Sequence, residues 1–168
     1  MNCDIPSPAA RILTLEQAAK LRGQWKEQGL RCALTNGCFD ILHRGHAEYL
    51  YAARAQADKL IVLLNSDDSV RRLKGPTRPV NCEYDRAFLL CSFSFVDAVV
   101  IFSSPRCTAE ILALSPDVYA KGADYTVEKL DPEEREALFR IGADIRFIPF
   151  VPGRSTTETI RKINQKDS

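Results

Sequence analysis

The chain has 168 residues and nearly balanced charge, with 23 lysines and arginines against 22 aspartates and glutamates and a formal net charge of +1. A hydrophobic content of 45% and a charged content of 27% are ordinary for a globular domain large enough to bury a substantial core. So small a net charge creates no global field that would recruit nucleic acid or anionic membranes, and no apolar run approaches the roughly 20 residues that cross a bilayer.

Alternating helices and strands are predicted along the whole chain. Residues 1–11 are rich in proline and are expected to form a loose tail. Thr14 begins a helix, because Gln17 three residues later completes a capping box, and Gly29 ends it. The predicted strands cover residues 31–36, 59–65, 98–102, 117–120 and 144–149; the helices after them cover 45–57, 68–72, 82–93 and 106–114, with further helices opening at Asp131 and Ser155.

This alternation predicts the fold class. The run at 59–65 is continuously apolar, as is typical of a parallel strand covered on both faces. Strands that alternate with helices favour an α/β protein with a Rossmann-like, doubly wound parallel sheet in three α/β/α layers. We expect a single domain, in which residues 1–30 form an N-terminal tail and helix and residues 31–168 form the main domain.

The cysteines and the N-terminus indicate a reducing compartment. None of the six cysteines forms a C-x-x-C pair, which gives zinc binding and dithiol chemistry little support. Cys32 and Cys91 lie in apolar runs and are expected to be reduced core residues. The N-terminal residues lack the basic and apolar segments of a signal peptide, so we expect a cytoplasmic protein.

Two histidines are the most informative residues for function. His43 and His46 flank Gly45 where a predicted strand is followed by a helix, and the chain has only these two histidines. A helix N-terminus attracts phosphate through its free N–H groups and its dipole, and two imidazoles at i and i+3 can both donate to one phosphate. Capping of the local backbone is the structural alternative. The pair predicts a nucleotide polyphosphate site beyond the carboxyl end of a strand.

The loop before the histidines adds further candidates. Asn36 and Gly37 predict a tight turn with free backbone N–H groups. Phe39 is expected to anchor the loop in the core, while Asp40 either holds the turn or orients a ligand. For Cys38 a structural role is favoured over a nucleophilic one, because no histidine outside the motif could serve it as a base.

A second phosphate cradle is predicted near the C-terminus, in the segment G-R-S-T-T-E at residues 153–158. Ser155 and Glu158 form a capping box, and the three consecutive hydroxyls at a helix start can also bind phosphate. The two interpretations are compatible, because the backbone amides can serve a phosphate while the box orders the turn.

Two other segments could contact a nucleotide. Lys74 and Arg78 flank a Gly-Pro turn that is expected to keep them mobile, as suits residues that close over a polyphosphate, whereas Arg71 and Arg72 could be solvated surface. The segment K-G-A-D-Y at residues 121–125 suits nucleobase or ribose recognition, a plain turn being the alternative. Neither a P-loop nor a G-x-G-x-x-G motif is present, and no serine–histidine–acid set can form.

These residues resemble the nucleotidyltransferase superfamily that carries an H-x-G-H signature and a later S-T-T signature. Within it they are most similar to the D-glycero-β-D-manno-heptose 1-phosphate adenylyltransferases of ADP-heptose synthesis. The similar segments occur in that family's order over residues 31–160: T-N-G-C-F-D-I-L-H-R-G-H, N-S-D-D-S-V-R-R-L-K-G-P, V-D-A-V-V-I-F, K-G-A-D-Y-T and V-P-G-R-S-T-T. Five ordered segments are far more specific than H-x-G-H alone.

The resemblance implies transfer of AMP from ATP to a sugar 1-phosphate, with Mg²⁺ accompanying the ATP and ADP-heptose serving lipopolysaccharide synthesis. Residues 31–168 would then be the nucleotidyltransferase domain. In many relatives this domain is fused to a sugar kinase; the chain is too short for one, so a separate heptose kinase is expected to supply the substrate. The relatives also imply a homodimer.

The resemblance assigns roles to individual residues. The catalytic residues would be His43, His46 and Lys74. The nucleotide-binding residues would be Thr35, Asn36, Gly37, Cys38, Phe39, Gly45, Lys121, Gly122, Asp124, Tyr125, Arg154, Ser155, Thr156 and Thr157. The substrate-binding residues would be Asp40, Asp67, Arg78 and Arg86, and no protein group is expected to ligate a metal.

Other activities stay open. Glycerol-phosphate cytidylyltransferases place an arginine shortly before the second signature, in a pattern resembling R-T-x-G-I-S-T-T. This chain instead has Phe150 at the place of that arginine and has Arg154 directly before Ser155. This departure weakens the reading as a CTP-dependent enzyme. The alternatives are such a cytidylyltransferase, an FAD-synthetase-type adenylyltransferase, and a regulatory module that binds nucleotide without turnover. The histidines and Lys74 speak against the module, because a sensor needs no cations at a leaving group.

Overall fold

The computed structural model describes residues 6–149 together with residues 156, 159 and 160. Within these residues, the strands are β1 (Ile12–Leu13), β2 (Cys32–Gly37), β3 (Lys59–Asn65), β4 (Ala98–Phe102), β5 (Val118–Gly122) and β6 (Asp144–Ile148). The helices are α1 (Leu15–Glu27), α2 (Arg44–Arg54), α3 (Asp67–Lys74), α4 (Glu83–Cys91), α5 (Thr108–Leu114) and α6 (Pro132–Ile141), and short 3-10 turns cover Pro8–Arg11 and Val127–Lys129. No helix of the described part is long and apolar enough to span a membrane.

All six strands lie parallel in one sheet, in the order β1-β4-β3-β2-β5-β6. From β2 the chain winds outward through β3 and β4, and then crosses back to place β5 and β6 on the other side of β2. The predicted doubly wound α/β fold is therefore confirmed. Its winding direction reverses between β2 and β5, and ligands of open α/β sheets bind at such a switch point, beyond the carboxyl ends of the strands.

The sheet separates two apolar cores, which explains the continuous apolar run at β3. Ile61 and Leu63 face one core, which is covered by α1, α5 and α6. Leu60, Val62 and Leu64 face the other, which is covered by α2 and α4. Because side chains alternate along a strand, only an apolar residue at nearly every position can fill both cores.

The predicted caps at the starts of α1 and α6 are present. The Thr14 hydroxyl accepts a hydrogen bond from the Gln17 backbone amide at 3.2 Å, and the Gln17 side-chain oxygen accepts one from the Thr14 amide, so the capping box is confirmed. Asp131 caps α6 through Oδ1, 3.0 Å from the Glu133 amide. The start of the last helix at Ser155 lies outside the described residues, although Thr156 is helical.

The prediction of a loose N-terminal tail is wrong for residues 8–11, which form a 3-10 turn. The Arg11 guanidinium donates to the carbonyl of Val96 at 2.6 Å and also to the carbonyl of Cys91. The chain then continues as β1, which pairs with β4 and extends the sheet by a strand that the sequence did not predict. Two residues are too few to show a strand pattern, and the β4 residues with which they pair lie more than 80 positions away.

Candidate functional site

β2 and β5 are paired only at their beginnings, at the switch point where open α/β sheets form a binding crevice. The register joins Ala33 to Val118 and Leu34 to Tyr119, whereas β2 continues to Gly37 and β5 to Gly122. Beyond the last pair the two strands are connected by side chains instead of a ladder. Of the predicted nucleotide-binding residues on these strands, those at 36–37 and 121–122 lie on the two sides of this crevice, whereas Thr35 is buried in the core.

One of these side-chain connections involves Thr35. The Tyr49 hydroxyl, from α2, donates to the Ala120 carbonyl at 3.0 Å and lies 2.7 Å from the Thr35 hydroxyl. Since the phenol has a single proton, Thr35 is the donor of the second bond. Thr35 is completely buried, so its hydroxyl joins the two strands from within the core.

The second connection involves Asn36. Its Oδ1 accepts a hydrogen bond from the Tyr119 hydroxyl at 3.0 Å and another from the Lys121 ammonium at 2.5 Å. The ammonium also lies 5.0 Å from the centre of the half-exposed Tyr125 ring. The structure thus brings together the predicted residues Asn36, Lys121 and Tyr125, while Asp124 is exposed beside them.

The histidine pair lies at the start of α2, directly after the loop that follows β2. His43 occupies the N-cap position with extended backbone, and its side chain makes no capping hydrogen bond. The rings of His43 and His46 stack with their centroids 3.8 Å apart and their planes at 19°. The His46 ring also meets the buried Phe39 edge-on at 5.3 Å. Side-chain capping by His43 is therefore ruled out, and the two imidazoles form one surface.

His46 is neutral at physiological pH. Burial of the ring, together with the neighbouring His43, lowers the pKa of His46 from 6.5 to about 4. An anion bound at the pair would favour the charged imidazolium and raise that pKa again. The histidine pair can therefore bind a proton when an anion binds to it.

The low pKa predicts a loss of stability in acid. As the pH falls from 6.5 to 4, the free energy of unfolding should decrease, because the unfolded chain binds a proton at His46 that the folded protein does not. Below pH 4 both states are protonated there, and this group contributes no further change. Urea unfolding of the wild type and of His46→Asn at several pH values measures the difference, and a variant whose stability falls just as steeply would contradict the prediction.

The loop between β2 and α2 has little room. A Cβ on Gly37 would lie 2.9 Å from Cε2 of Phe39, and Phe39 itself adopts a positive φ of 45°. The Phe39 ring is buried in the core under α2, as its predicted anchoring role requires. Gly45 is buried in the first turn of α2. The loop backbone is thus held close to the crevice by a buried aromatic side chain.

Asp40 fastens this loop to the segment after α3. Its carboxylate is buried and accepts hydrogen bonds from Nε of Arg78 at 2.5 Å and from the amide of Val80 at 2.7 Å. Burial alone would raise the pKa of Asp40, but the hydrogen bonds from Arg78, Asn81 and Val80 outweigh it and lower the pKa. The prediction of a mobile Arg78 is wrong, because a buried carboxylate needs a charged partner. Lys74 is exposed in the last turn of α3.

Arg86 is wholly buried behind the same loop. It donates from Nε to the Asn81 carbonyl at 3.0 Å, from Nη1 to the Cys38 carbonyl at 2.6 Å and from Nη2 to Oδ1 of Asp67 at 2.7 Å. The structure therefore brings two of the predicted substrate-binding residues, Asp67 and Arg86, into contact with each other. Every guanidinium nitrogen donates to protein, and the Asp67 side chain keeps a 22% exposed fraction.

The Cys38 thiol is suited to a structural role. Its sulfur lies 3.9 Å from Oδ1 of Asn65 and is partly buried. Burial raises its pKa, although the positive charges of Lys74, Arg86 and Arg78 oppose that shift. A thiol with a raised pKa stays protonated at neutral pH and is a poor nucleophile.

Of the second predicted phosphate-binding segment, residues 153–158, the structure describes only Thr156, which contacts the loop before the histidine pair. The Thr156 hydroxyl donates to the carbonyl of Ile41 at 3.3 Å, in the loop that leads to the histidines. Arg154, Ser155 and Thr157 lie outside the described residues. The contact nevertheless joins the S-T-T segment to the loop of the H-x-G-H motif, 115 residues earlier in the chain.

Sequence reasoning missed two tyrosines of the crevice, Tyr49 and Tyr119. Both are buried and pack in the apolar cores like ordinary core residues. The available signal was chemical, since a buried tyrosine hydroxyl usually needs a hydrogen-bond partner. Nothing in the spacing of the sequence identifies which partner that is.

Comparison with known proteins places this geometry in a family. The family model described as cytidylyltransferase-like matches residues 34–162. The "Bifunctional protein HldE" of Mesorhizobium japonicum is 49% identical over 152 residues, which cover 90% of this chain and 30% of that protein. The protein of the same name from Paramagnetospirillum magneticum is 44% identical over 161 residues, covering 96% and 33%. The chain thus spans about a third of the length of these curated relatives.

Solved structures agree with the fold. The "lipopolysaccharide core biosynthesis protein" from Thermoplasma volcanium matches with a TM-score of 0.59 and 26% identity, over 73% of this chain and 98% of that one. A pantoate-beta-alanine ligase from Francisella tularensis, complexed with beta-gamma ATP and beta-alanine, matches with a TM-score of 0.52 over 86% of this chain and 67% of its own. At 15% identity, the second likeness shows the fold alone.

Proposed function

The chain belongs to the cytidylyltransferase-like family of nucleotidyltransferases, and from that membership we propose that it transfers AMP from ATP to D-glycero-β-D-manno-heptose 1-phosphate, giving ADP-heptose and pyrophosphate. The observation that carries the proposal is the stacked histidine pair at the N-terminus of α2, beside the switch-point crevice. The sugar is supported by the five family segments and by relatives named HldE. Because the chain covers only a third of those relatives, the substrates are part of the proposal.

The proposed reaction is an in-line displacement. An oxygen of the sugar phosphate attacks the α-phosphorus of ATP, a new P–O bond forms, and the bond to the bridging oxygen of the β-phosphate breaks. Pyrophosphate leaves with that electron pair. Since the nucleophile is already an anion, the protein has to supply positioning and charge stabilisation but no strong general base.

The described residues suit these two tasks. We assign to His43 and His46 the oxygens around the α-phosphorus, where donors are most effective in a partly desolvated site. Lys74, exposed at the end of α3, is assigned a cationic role at the departing phosphates. Lys121 and Tyr125 are assigned to the adenosine side of the crevice, across from the histidines' loop.

Mg²⁺ is proposed to enter with ATP. Among the residues that the structure describes, no three histidine, cysteine, aspartate or glutamate side chains are grouped so that they could hold a metal ion. We expect the ion to be bound mainly by phosphate oxygens and water, which is the usual way that proteins bind magnesium nucleotides. Such an ion would neutralise charge on the phosphates.

The acceptor side is proposed to include Asp67, whose carboxylate is partly exposed next to the loop of Cys38. Arg86 is assigned a supporting role. Its guanidinium is wholly buried and bonded to protein at every nitrogen, so it holds Asp67 and the Cys38 carbonyl in place. Asp40 and Arg78 hold the same loop from the side of the segment after α3.

An acceptor screen scored by pyrophosphate release tests the proposal. We expect release with ATP and heptose 1-phosphate, and background release with CTP and glycerol 3-phosphate or with ATP and FMN. Preference for either of the latter pairs would identify one of the alternative transferases. Tight ATP binding with no release for any acceptor would indicate a regulatory module.

A further inference from the structure

The orientation of the Asn36 amide is determined by the groups that face it. An ammonium can only donate hydrogen bonds, so the atom of Asn36 that lies 2.5 Å from Nζ of Lys121 must be the oxygen. The Tyr119 hydroxyl donates to the same oxygen. The two N–H groups of the amide are therefore turned away from these donors. Among the described residues, both hydrogen bonds of the Asn36 side chain are made by its oxygen.

The Tyr119 hydroxyl also contacts Cys107, on the side away from Asn36 in the chain of contacts. Tyr119 is completely buried, and its oxygen lies 3.8 Å from the sulfur of Cys107. Oε1 of Glu134 accepts hydrogen bonds from the Cys107 amide at 3.0 Å and from the Cys107 thiol at 3.3 Å. Glu134 is also buried, in the first turn of α6. A continuous set of contacts thus runs from α6, past the start of α5, to the crevice.

The two donors to Asn36 differ in how they respond to an anion. Lys121 carries a mobile positive charge on a flexible stem, and a phosphate would compete with a neutral amide oxygen for its ammonium. Tyr119 is neutral, fully buried and fixed by packing, so it stays in place. When Lys121 turns to a ligand, Tyr119 is the group that keeps the amide from flipping.

We propose that Tyr119 is a positioning residue for nucleotide binding, whose hydroxyl keeps the N–H groups of Asn36 turned into the switch-point crevice to donate to an oxygen of the bound nucleotide. The proposal rests on the proposed function in one respect, that the crevice binds a nucleotide. It extends that function to a buried residue which never touches the ligand.

A double-mutant cycle tests it. Tyr119→Phe removes the hydroxyl and keeps the ring, including the ring's contact with Lys121 at 5.7 Å. We expect Kd and KM for ATP to rise about 3- to 10-fold, as for the loss of one hydrogen bond, with kcat little changed. In an Asn36→Ala background the same substitution should change neither Kd nor KM, because the amide through which Tyr119 acts is absent.

Tyr49→Phe is the matched control. It removes another buried hydroxyl, which connects the same two strands through Thr35 and the Ala120 carbonyl instead of through Asn36. Whatever its effect on ATP binding, that effect should be the same in the wild-type and Asn36→Ala backgrounds. Thermal unfolding of every variant shows that the folded proteins are being compared.

Calorimetric binding of magnesium ATP and pyrophosphate release are measured in parallel. Equal effects of Tyr119→Phe in both backgrounds would overturn the proposal, as would unchanged ATP binding in Asn36→Ala or no ATP binding by the wild type. A wild type that binds ATP but releases no pyrophosphate would refute the proposed reaction alone, and the calorimetric cycle would still decide the role of Tyr119.

Discussion

Replacing His46 with alanine should lower kcat for adenylyl transfer by roughly 10²–10³-fold, or about 3–4 kcal/mol of transition-state stabilisation. The imidazole lies partly buried against His43 at the start of α2, where a donor acts on developing charge in a site of low dielectric constant. Pyrophosphate release at saturating ATP and acceptor measures the effect. The melting temperature should change little, because the ring contributes only part of its surface to the core.

Two variants of the same helix serve as controls. His46→Gln retains an N–H donor and should recover part of the lost rate. Glu48→Gln weakens an exposed ion pair with Arg44 and should leave kcat within about twofold, since exposed pairs contribute little. If His46→Ala kept a nearly normal kcat, the histidine pair would have no part in the reaction.

Arg86→Met should lower the free energy of unfolding by about 3–5 kcal/mol, the usual cost of removing one partner of a buried ion pair. The substitution leaves the Asp67 carboxylate and two carbonyls, those of Cys38 and Asn81, without their donor. It also frees the loop that precedes the histidines. Urea unfolding measures the change, and the melting temperature should fall by on the order of 10 °C.

The same measurement on Arg71→Met provides the contrast. Arg71 pairs with Asp68 on the exposed side of α3, and losing it should cost less than about 1 kcal/mol. Adding Asp67→Asn to Arg86→Met removes the uncompensated carboxylate and should restore part of the stability. Equal stability of Arg86→Met and the wild type would show that the buried guanidinium contributes nothing to the fold.

Much of the fold was predictable because its determinants are local. The bounds of β3 and β4 agree with the apolar runs at 59–65 and 98–102, since a strand buried on both faces is apolar at nearly every position. The caps at Thr14 and Asp131 agree because each involves residues only two or three positions apart.

The histidine pair was predictable for the same reason. An N-cap residue and the residue three positions after it both lie at the first turn of a helix, and the observed stacking of His43 on His46 follows. The mobile Arg78 was a wrong prediction, because its partner Asp40 is 38 residues away and the sequence between them does not indicate the contact.

By itself, then, the sequence determined the alternation of elements, the helix caps and the histidine surface, all of which depend on neighbours within a few positions. Only the tertiary structure decided that β1 joins the sheet, that Arg86 bonds to the loop and that Tyr119 donates a hydrogen bond to Asn36. The bond between Tyr119 and Asn36 spans 83 residues and exists because β5 returns to lie beside β2. Contacts of that kind depend on strand order, which no local pattern encodes.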